Sequence, residues 1–277
     1  MSFGGHDDAL ALRGVLEHLE WQEAKTLVFV IPDPTEWVLP LYELALLSRA
    51  RFDAHGATDA EVVVLTAEED PMELMGERTS DTVQMLLARS GVRVRTGVKV
   101  LSAENRTLRL ADGSSVPADH VFTLPRWHGT PILGLPADHD GFLRIDDCCR
   151  VHGLDGVYAA GNITAGFPKQ GGLAARQADA AASAVLADLG WPVEAVPFEP
   201  VLAGVLLTGD LLATIRDRLP EGEELPWKPP SKIVARHLAP YLGTREPESR
   251  HAAVWQREHR IPAEIEVASS PLPDGAS

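Results

Sequence analysis

The sequence lacks the features that would place it in several common classes. It holds two cysteines, Cys148 and Cys149, side by side. Adjacent cysteines build no disulfide framework, and no C-x-x-C is present. A reducing, cytoplasmic compartment is therefore expected. No basic segment followed by an apolar run stands at the N-terminus, so no signal peptide is expected. The longest apolar stretches, such as 201–208, fall far short of a membrane span. Positive charge is scarce: 25 Lys+Arg against 40 Asp+Glu leave a formal charge of −15. A nucleic-acid binder needs a basic stripe, so no nucleic-acid partner is expected. No set of ligands at metal-binding spacing is apparent, no G-x-S-x-G elbow occurs, and no G-x-G-x-x-G occurs.

What remains is an ordinary globular composition, with 45% hydrophobic and 23% charged residues in 277. At ~150 residues per domain this length suggests about two domains. Residues 9–21 space their apolar side chains as an amphipathic helix. Residues 25–31 (KTLVFVI) and 61–66 (EVVVLT) are short β-branched runs and read as buried strands. A helix is expected from near Pro40 to Phe52, and another over 79–90 with Gly91 as its stop. Strands are expected over 92–100, 107–110 and 121–123, with a hairpin turn at 111–114 (ADGS). This alternation predicts an α/β, doubly wound, Rossmann-like sheet.

The second half is led by residues 156–182, GVYAAGNITAGFPKQGGLAARQADAAA. A short strand runs into a glycine-rich loop, and an Ala-rich helix follows over 173–189. Such a loop brings backbone N–H groups and the positive end of a helix dipole to a ligand. Gly161 and Gly166 have P-loop spacing, but Phe167 and Pro168 stand where Lys and Ser/Thr should follow. A nucleoside-triphosphate site is therefore excluded. From the residues alone, the segment is either a cofactor cradle or a plain strand-to-helix connection. One or two strands are expected in 197–208, and a helix over 232–242 after the rigid PWKPP break at 226–230.

Segment 156–182 resembles the second flavin-contact motif of flavoproteins with two dinucleotide-binding domains. That superfamily includes type II NADH dehydrogenases, sulfide:quinone oxidoreductases and pyridine nucleotide-disulfide oxidoreductases. The segments TEWVLPLYELALL (35–47) and VLAGVLLTGD…WKPPSKIVARHLAPYL (201–242) match in the same order. The resemblance implies an NAD(P)-type Rossmann-like domain over 1–128 and the C-terminal part of an FAD-binding domain over 129–190. It also implies a small interface region over 191–243, with a loosely ordered tail over 244–277. The implied cofactor is FAD. The implied contacts are Gly161, Asn162, Lys169, Gln170, Gly171, Gly172 and Leu173. No catalytic residue is assigned.

Three departures from the family pattern matter. Asn162 stands where the family has aspartate, so a hydrogen bond remains but a charge is lost. The G-x-G-x-x-G half that cradles the FAD pyrophosphate is absent, so the FAD site is incomplete in this sequence. The chain reads either as a fragment of a longer reading frame or as a truncated relative. Finally, the loop from Pro32 to Trp37 (PDPTEW) has no glycine, and its prolines lack N–H donors. Asp33 and Glu36 would repel phosphates there, so the loop disfavours NAD(P)H.

Two functions follow. One is an FAD-dependent oxidoreductase, or a C-terminal part of one, passing electrons from a small-molecule donor to a quinone-like or other acceptor. The other is a truncated, non-catalytic relative serving as a binding or partner subunit. A homo-oligomer, or a second chain supplying the missing FAD half, is the expected assembly. Peripheral membrane contact stays open. Cys148 and Cys149 are read as structural, Lys169 as either a flavin contact or a solvated loop residue. Trp37 and Tyr42 read as donor-pocket walls or as core.

Overall fold

The computed structural model of the protein describes residues 6–19, 26–34, 36–207, 212–216 and 264–266. The helix expected at 232–242 and the break at 226–230 lie outside these residues. The chain divides into two compact units, with the main boundary between Arg126 and Trp127, and stretches within 205–215 and 259–269 return to unit 1.

Unit 1 begins with α1 (His6–Leu19), followed by β1 (Thr26–Ile31), α2 (Leu39–Ala54) and β2 (Glu61–Thr66). A single 3-10 turn at Glu73–Met75 leads into α3 (Glu77–Arg89) and β3 (Arg93–Arg95). A meander follows: β4 (Val100–Glu104), β5 (Thr107–Leu110) and β6 (Ser115–Pro117), before β7 (His120–Thr123). The strands β3-β2-β1-β7 form one sheet in that order, and β1 pairs in parallel with both β2 and β7. Phe29 lies in register with Val64 on one side and Phe122 on the other.

The β-branched runs become central strands because both of their faces are covered. Leu27, Val28 and Phe29 have no exposed surface. Burying each such side chain stabilises by roughly 1.5–3 kcal/mol. Val28, Val30, Val63 and Leu65 pack against Leu108, Leu110, Val116 and Ala118 of the meander. By strand alternation the opposite face carries Phe29 and Phe122, whose rings stand 6.0 Å apart. Right-handed crossovers place α2 and α3 on that face. The fold is thus the α/β, Rossmann-like arrangement that strand–helix alternation predicts.

The strand expected over 92–100 is in fact two strands in two sheets. After Arg95 the chain turns through Gly97, at φ +62°, whose amide donates to the Glu68 carbonyl at 2.7 Å. Val98 donates to Thr66, and β4 then opens the antiparallel meander. The apolar alternation runs on across the break, so the pattern hides it. The meander's first turn places Asn105 and Arg106 at φ +49° and +58°, the conformation that matches the twist of a tight hairpin.

Unit 2 has a small apolar centre of Leu143, Val151 and Ala159, flanked by Ile145, Val157 and Ile163. The strand expected over 156–160 makes a single antiparallel bridge, Tyr158 to Arg150, rather than a ladder. An apolar extended run becomes a ladder strand only where a neighbour offers a full edge. Here its neighbour is the turn at 146–150, which has pulled its own amides inward: Cys148 and Arg150 N–H both donate to Asp146 Oδ1.

The long helix α4 (Gly171–Asp188) starts two residues before the expected Leu173. Its C-terminal end is fastened by Asp188, which accepts from Arg150 Nε and Nη2 at 2.9 and 2.8 Å and from the Tyr158 hydroxyl. The Arg150 bonds, with help from Tyr158, hold the Asp188 carboxyl down to about 2. A further sheet joins β8 (Ala203–Leu207), β9 (Leu212–Arg216) and β10 (Glu264–Glu266) in the order β10-β9-β8. β8 falls in the expected strand region, whereas β10 lies within the segment expected as a loose tail.

Candidate functional site

The N-terminus of α4 and the turn that faces it bring the glycine-rich residues together. Gly161–Ile163 forms one 3-10 turn. Gly161 sits at φ +82°, and its amide donates to Gln177 Oε1 at 2.7 Å. A side chain at Gly161 would touch Ala174 of α4 at 3.5 Å, so turn and helix approach closely here. Thr164 Oγ1 donates to the Gly161 carbonyl at 2.8 Å and accepts from Gln177 Nε2 at 3.1 Å. Thr164 and Gln177 are each 1% exposed. These two buried side chains satisfy each other and fix the turn against the first turns of α4.

Gln170 is the N-cap of α4. Its side-chain oxygen accepts from the Leu173 amide at 2.7 Å, and its carbonyl from Ala174 at 3.0 Å. A cap of this kind contributes about 1 kcal/mol. A methyl group on Gly172 would stand 2.8 Å from Gln170 Oε1, so the cap requires glycine there. A methyl on Gly171 meets open space. The Gly171 and Gly172 amides are the first two of the helix and have no intrahelical acceptor. No acidic residue stands in the first turn. The result is a neutral, donor-rich helix end bordered by Asn162 and Gly171, both exposed, with the dipole favouring negative charge.

Lys169 lies behind this surface. Its Nζ donates to the Thr164 carbonyl at 2.5 Å and lies 3.9 Å from the centre of the Phe142 ring. Leu173 is 1% exposed and anchors the helix as core. Of the residues the motif singles out, Gly161, Gln170, Gly171 and Gly172 shape the site and Asn162 borders it. Phe142, Thr164 and Gln177 are the supports that sequence reasoning missed. Gln177 left a signal: Leu173, Gln177, Ala180 and Ala184 follow one helical stripe, and Gln177 is its one polar member.

The cysteines lie apart from this chemistry. Cys149 is fully buried at φ +64°, and burial pushes its thiol up to about 11. Cys148 is half-buried, and both thiols are free. Among the described residues no three His, Cys, Asp or Glu side chains gather as a metal site, and no helix is long and apolar enough to cross a membrane.

In unit 1 the turn from β1 into α2 differs. Pro32 and Asp33 are exposed, whereas Val38 and Leu39 at the start of α2 are 2% and 3% exposed. Tyr42 is fully buried core. Its hydroxyl donates to Glu68 Oε2 at 2.5 Å, and the Thr66 hydroxyl donates to the same oxygen at 2.8 Å.

The family model for pyridine nucleotide-disulphide oxidoreductases matches residues 44–182, which take in the parallel sheet from α2 onward and the α4 site. No curated protein sequence matches the chain. Among solved structures, the chain is similar to the sulfide:quinone oxidoreductase of the hyperthermophilic bacterium Aquifex aeolicus. Their TM-score is 0.69 at 18% identity, over 78% of this chain and 56% of that one. It is also similar to an NAD-dependent persulfide reductase from A. fulgidus, with a TM-score of 0.53 at 17% identity, over 77% of this chain and 39% of that one. Identities this low establish the shared fold. The chain spans about half the length of the first of these structures, and less of the second.

Proposed function

Because the chain belongs to the pyridine nucleotide-disulphide oxidoreductase family, we propose that it is a flavin-dependent oxidoreductase whose FAD rests against the N-terminus of α4. The observation that carries this reading is the open, acid-free first turn of α4 beside Gly161 and Asn162. The residues present suit the group. The Gly171 and Gly172 amides offer two neutral donors, and the helix dipole favours an electron-rich ring edge. Asn162 would hydrogen-bond a hydroxyl without adding charge. Gln170 holds the helix start, while Gln177 and Thr164 keep the Gly161 turn from moving. Lys169 lends positive charge from behind, steadied by Phe142.

Bound FAD would supply the electron-transfer chemistry, taking electrons from a small-molecule donor and passing them to a quinone-like or other acceptor. A second chain supplying a pyrophosphate-binding half is the partner this reading calls for.

The test is the visible absorption spectrum of the purified chain before and after FAD is added. A flavin spectrum that stays with the protein through gel filtration is the expected result. Flavin that washes away even after excess FAD would sink the reading for this chain alone.

One observation favours a second reading, a non-catalytic partner subunit. Leu186, Leu189, Trp191, Val193 and Val196, along the end of α4 and the segment after it, are 38–70% exposed. Apolar groups gathered in this way mark interaction surfaces. A flavin-free chain that self-associates in sedimentation velocity would support it.

A further inference from the structure

The helix α4 is apolar on more than the side it buries. Leu173, Gln177, Ala180 and Ala184 form the stripe that packs inward. On another side Ala182, Leu186 and Leu189 recur at helical spacing and are exposed. A helix that is apolar on two sides is one that other elements cover on two sides.

The segment after the helix widens this surface. The Trp191 amide donates to the Leu186 carbonyl at 3.1 Å, and the Val196 amide to Ser183 Oγ at 2.9 Å, which lays the segment back along α4. Ser183 lies one turn before Leu186 on the same side. Phe198 fastens the far end: its amide donates to the Asp147 carbonyl at 2.6 Å, and its ring meets Phe167 edge-on at 5.1 Å. Trp191, Val193 and Val196 are thus held outward on a fixed backbone, with Leu189 and Trp191 70% and 62% exposed. The small Ala182 beside the larger Leu186 and Leu189 lets a second helix approach closely and settle against them.

The charge around the surface is of one sign. No Lys or Arg occurs between Arg176 and Arg216. Glu194 and Glu199 are exposed along the returning segment, and Asp147 is exposed at its end. Arg150, which reaches the end of α4, is held by Asp188 and Asp146. Two copies of this chain would bring these carboxylates face to face, and an anionic lipid surface would repel them. An exposed indole ring, by contrast, attracts a cation over its face.

We infer that this face of unit 2 docks a cationic amphipathic helix of another protein chain. The partner's apolar side lies on Leu186, Leu189 and Trp191, and its Lys or Arg side chains point toward Glu194 and Glu199. The inference rests on the readings above that call for a partner chain, and it names that partner's chemistry.

The probe is a fluorescent model peptide, a helix with leucines on one side and lysines on the other, titrated into the full chain and followed by anisotropy. A leucine–glutamate helix and a serine–lysine peptide are titrated alongside. Saturable binding of the leucine–lysine helix alone, weakened by added salt, is the expected result. L189S/W191S changes two exposed side chains, so it should keep the wild-type melt and weaken binding about tenfold or more. E194K/E199K should turn the preference toward the leucine–glutamate helix. Equal binding of all three peptides, or binding that L189S/W191S leaves unchanged, would overturn the inference. A wild-type dimer in sedimentation velocity that L189S/W191S dissolves would also overturn it, while keeping the partner-subunit reading with a second copy as the occupant. Co-sedimentation with phosphatidylcholine–phosphatidylserine vesicles, lost in the same variant, would overturn it in favour of a membrane surface. FAD retention is measured on the same samples, so failure of the flavin reading leaves the docking result standing.

Discussion

The chain carries two turns that lead from an extended segment into a helix, one after a sheet strand and one after a single bridge, and they have opposite chemistry. In unit 2, Gly161 at φ +82° and the bare Gly171 leave the start of α4 open, with its supports paired beneath. In unit 1, proline, Val38 and Leu39 seal the start of α2, and Glu68, the first of three acidic residues beyond the next strand, turns inward to Tyr42. An α/β scaffold offers a ligand place at every such turn. Whether the place is used depends on which backbone N–H groups are left uncovered. The sealed turn strengthens the core, and the open one keeps donors for a ligand.

The sealed side of this contrast is most exposed to challenge at Glu68. Its folded-state value of about 7 lies above its ordinary value of 4.5, so the fold binds the proton more tightly than the unfolded chain does. The stability tied to this proton is full below about pH 4.5, declines as the pH rises, and is lost above about 7. The groups facing it are Tyr42, Thr66, the Met72 backbone and, more distantly, Glu73. E68Q carries no proton to lose. It should flatten this slope in urea melts taken from about pH 4 to 8, with a gain at the alkaline end on the order of 2–3 kcal/mol. A slope as steep as that of wild type would show that Glu68 is not the titrating group.

The open turn depends on Gln177. Truncating it to Ala strips the part-buried Gly161 amide of its acceptor and the Thr164 hydroxyl of one of its two partners. Leaving such an amide unpaired costs about 1–3 kcal/mol. Chemical denaturation should show that loss, and FAD retention should fall with it. Gly161→Ala places a side chain in the left-handed region, at a cost of ~1–2 kcal/mol, and its melting temperature should drop accordingly. A variant with almost no effect on stability separates ligand from scaffold. Gly171→Ala meets open space, so its melt should match wild type or rise slightly. Its flavin retention should nonetheless weaken, because the added methyl enters the approach to the helix amides. Unchanged retention would mean that this face is not the contact surface.

Much of the fold was legible in the sequence, because its signals are local. Residues 26–31 and 61–66 announce central strands by unbroken β-branched runs, and the turn at 111–114 by ADGS. The break after Arg95 was not legible, because apolar alternation continues into β4 while the hydrogen bonds move to another sheet. Gly161, Gln170, Gly171 and Gly172 were named through the family resemblance, because from the residues alone the loop read as a cofactor cradle or as a plain strand-to-helix connection. Thr164 and Phe142 could not, because their roles come from partners elsewhere along unit 2. Tyr42 read as a pocket wall or, more readily, as core, and its full burial with its hydrogen bond to Glu68 makes it core.

By itself the sequence determined the alternation of strands and helices, the glycine-rich approach to α4, and the proline-sealed turn after β1. These are properties of short segments, set by backbone freedom, missing N–H groups and side-chain period. The tertiary structure alone decided which groups face which. It paired Gln177 with Gly161 across 16 residues and Tyr42 with Glu68 across 26, and it committed Lys169 to Thr164 and Phe142. A hydrogen bond between distant residues depends on how the chain packs, and burial sets its worth, so neither can be read from a local pattern.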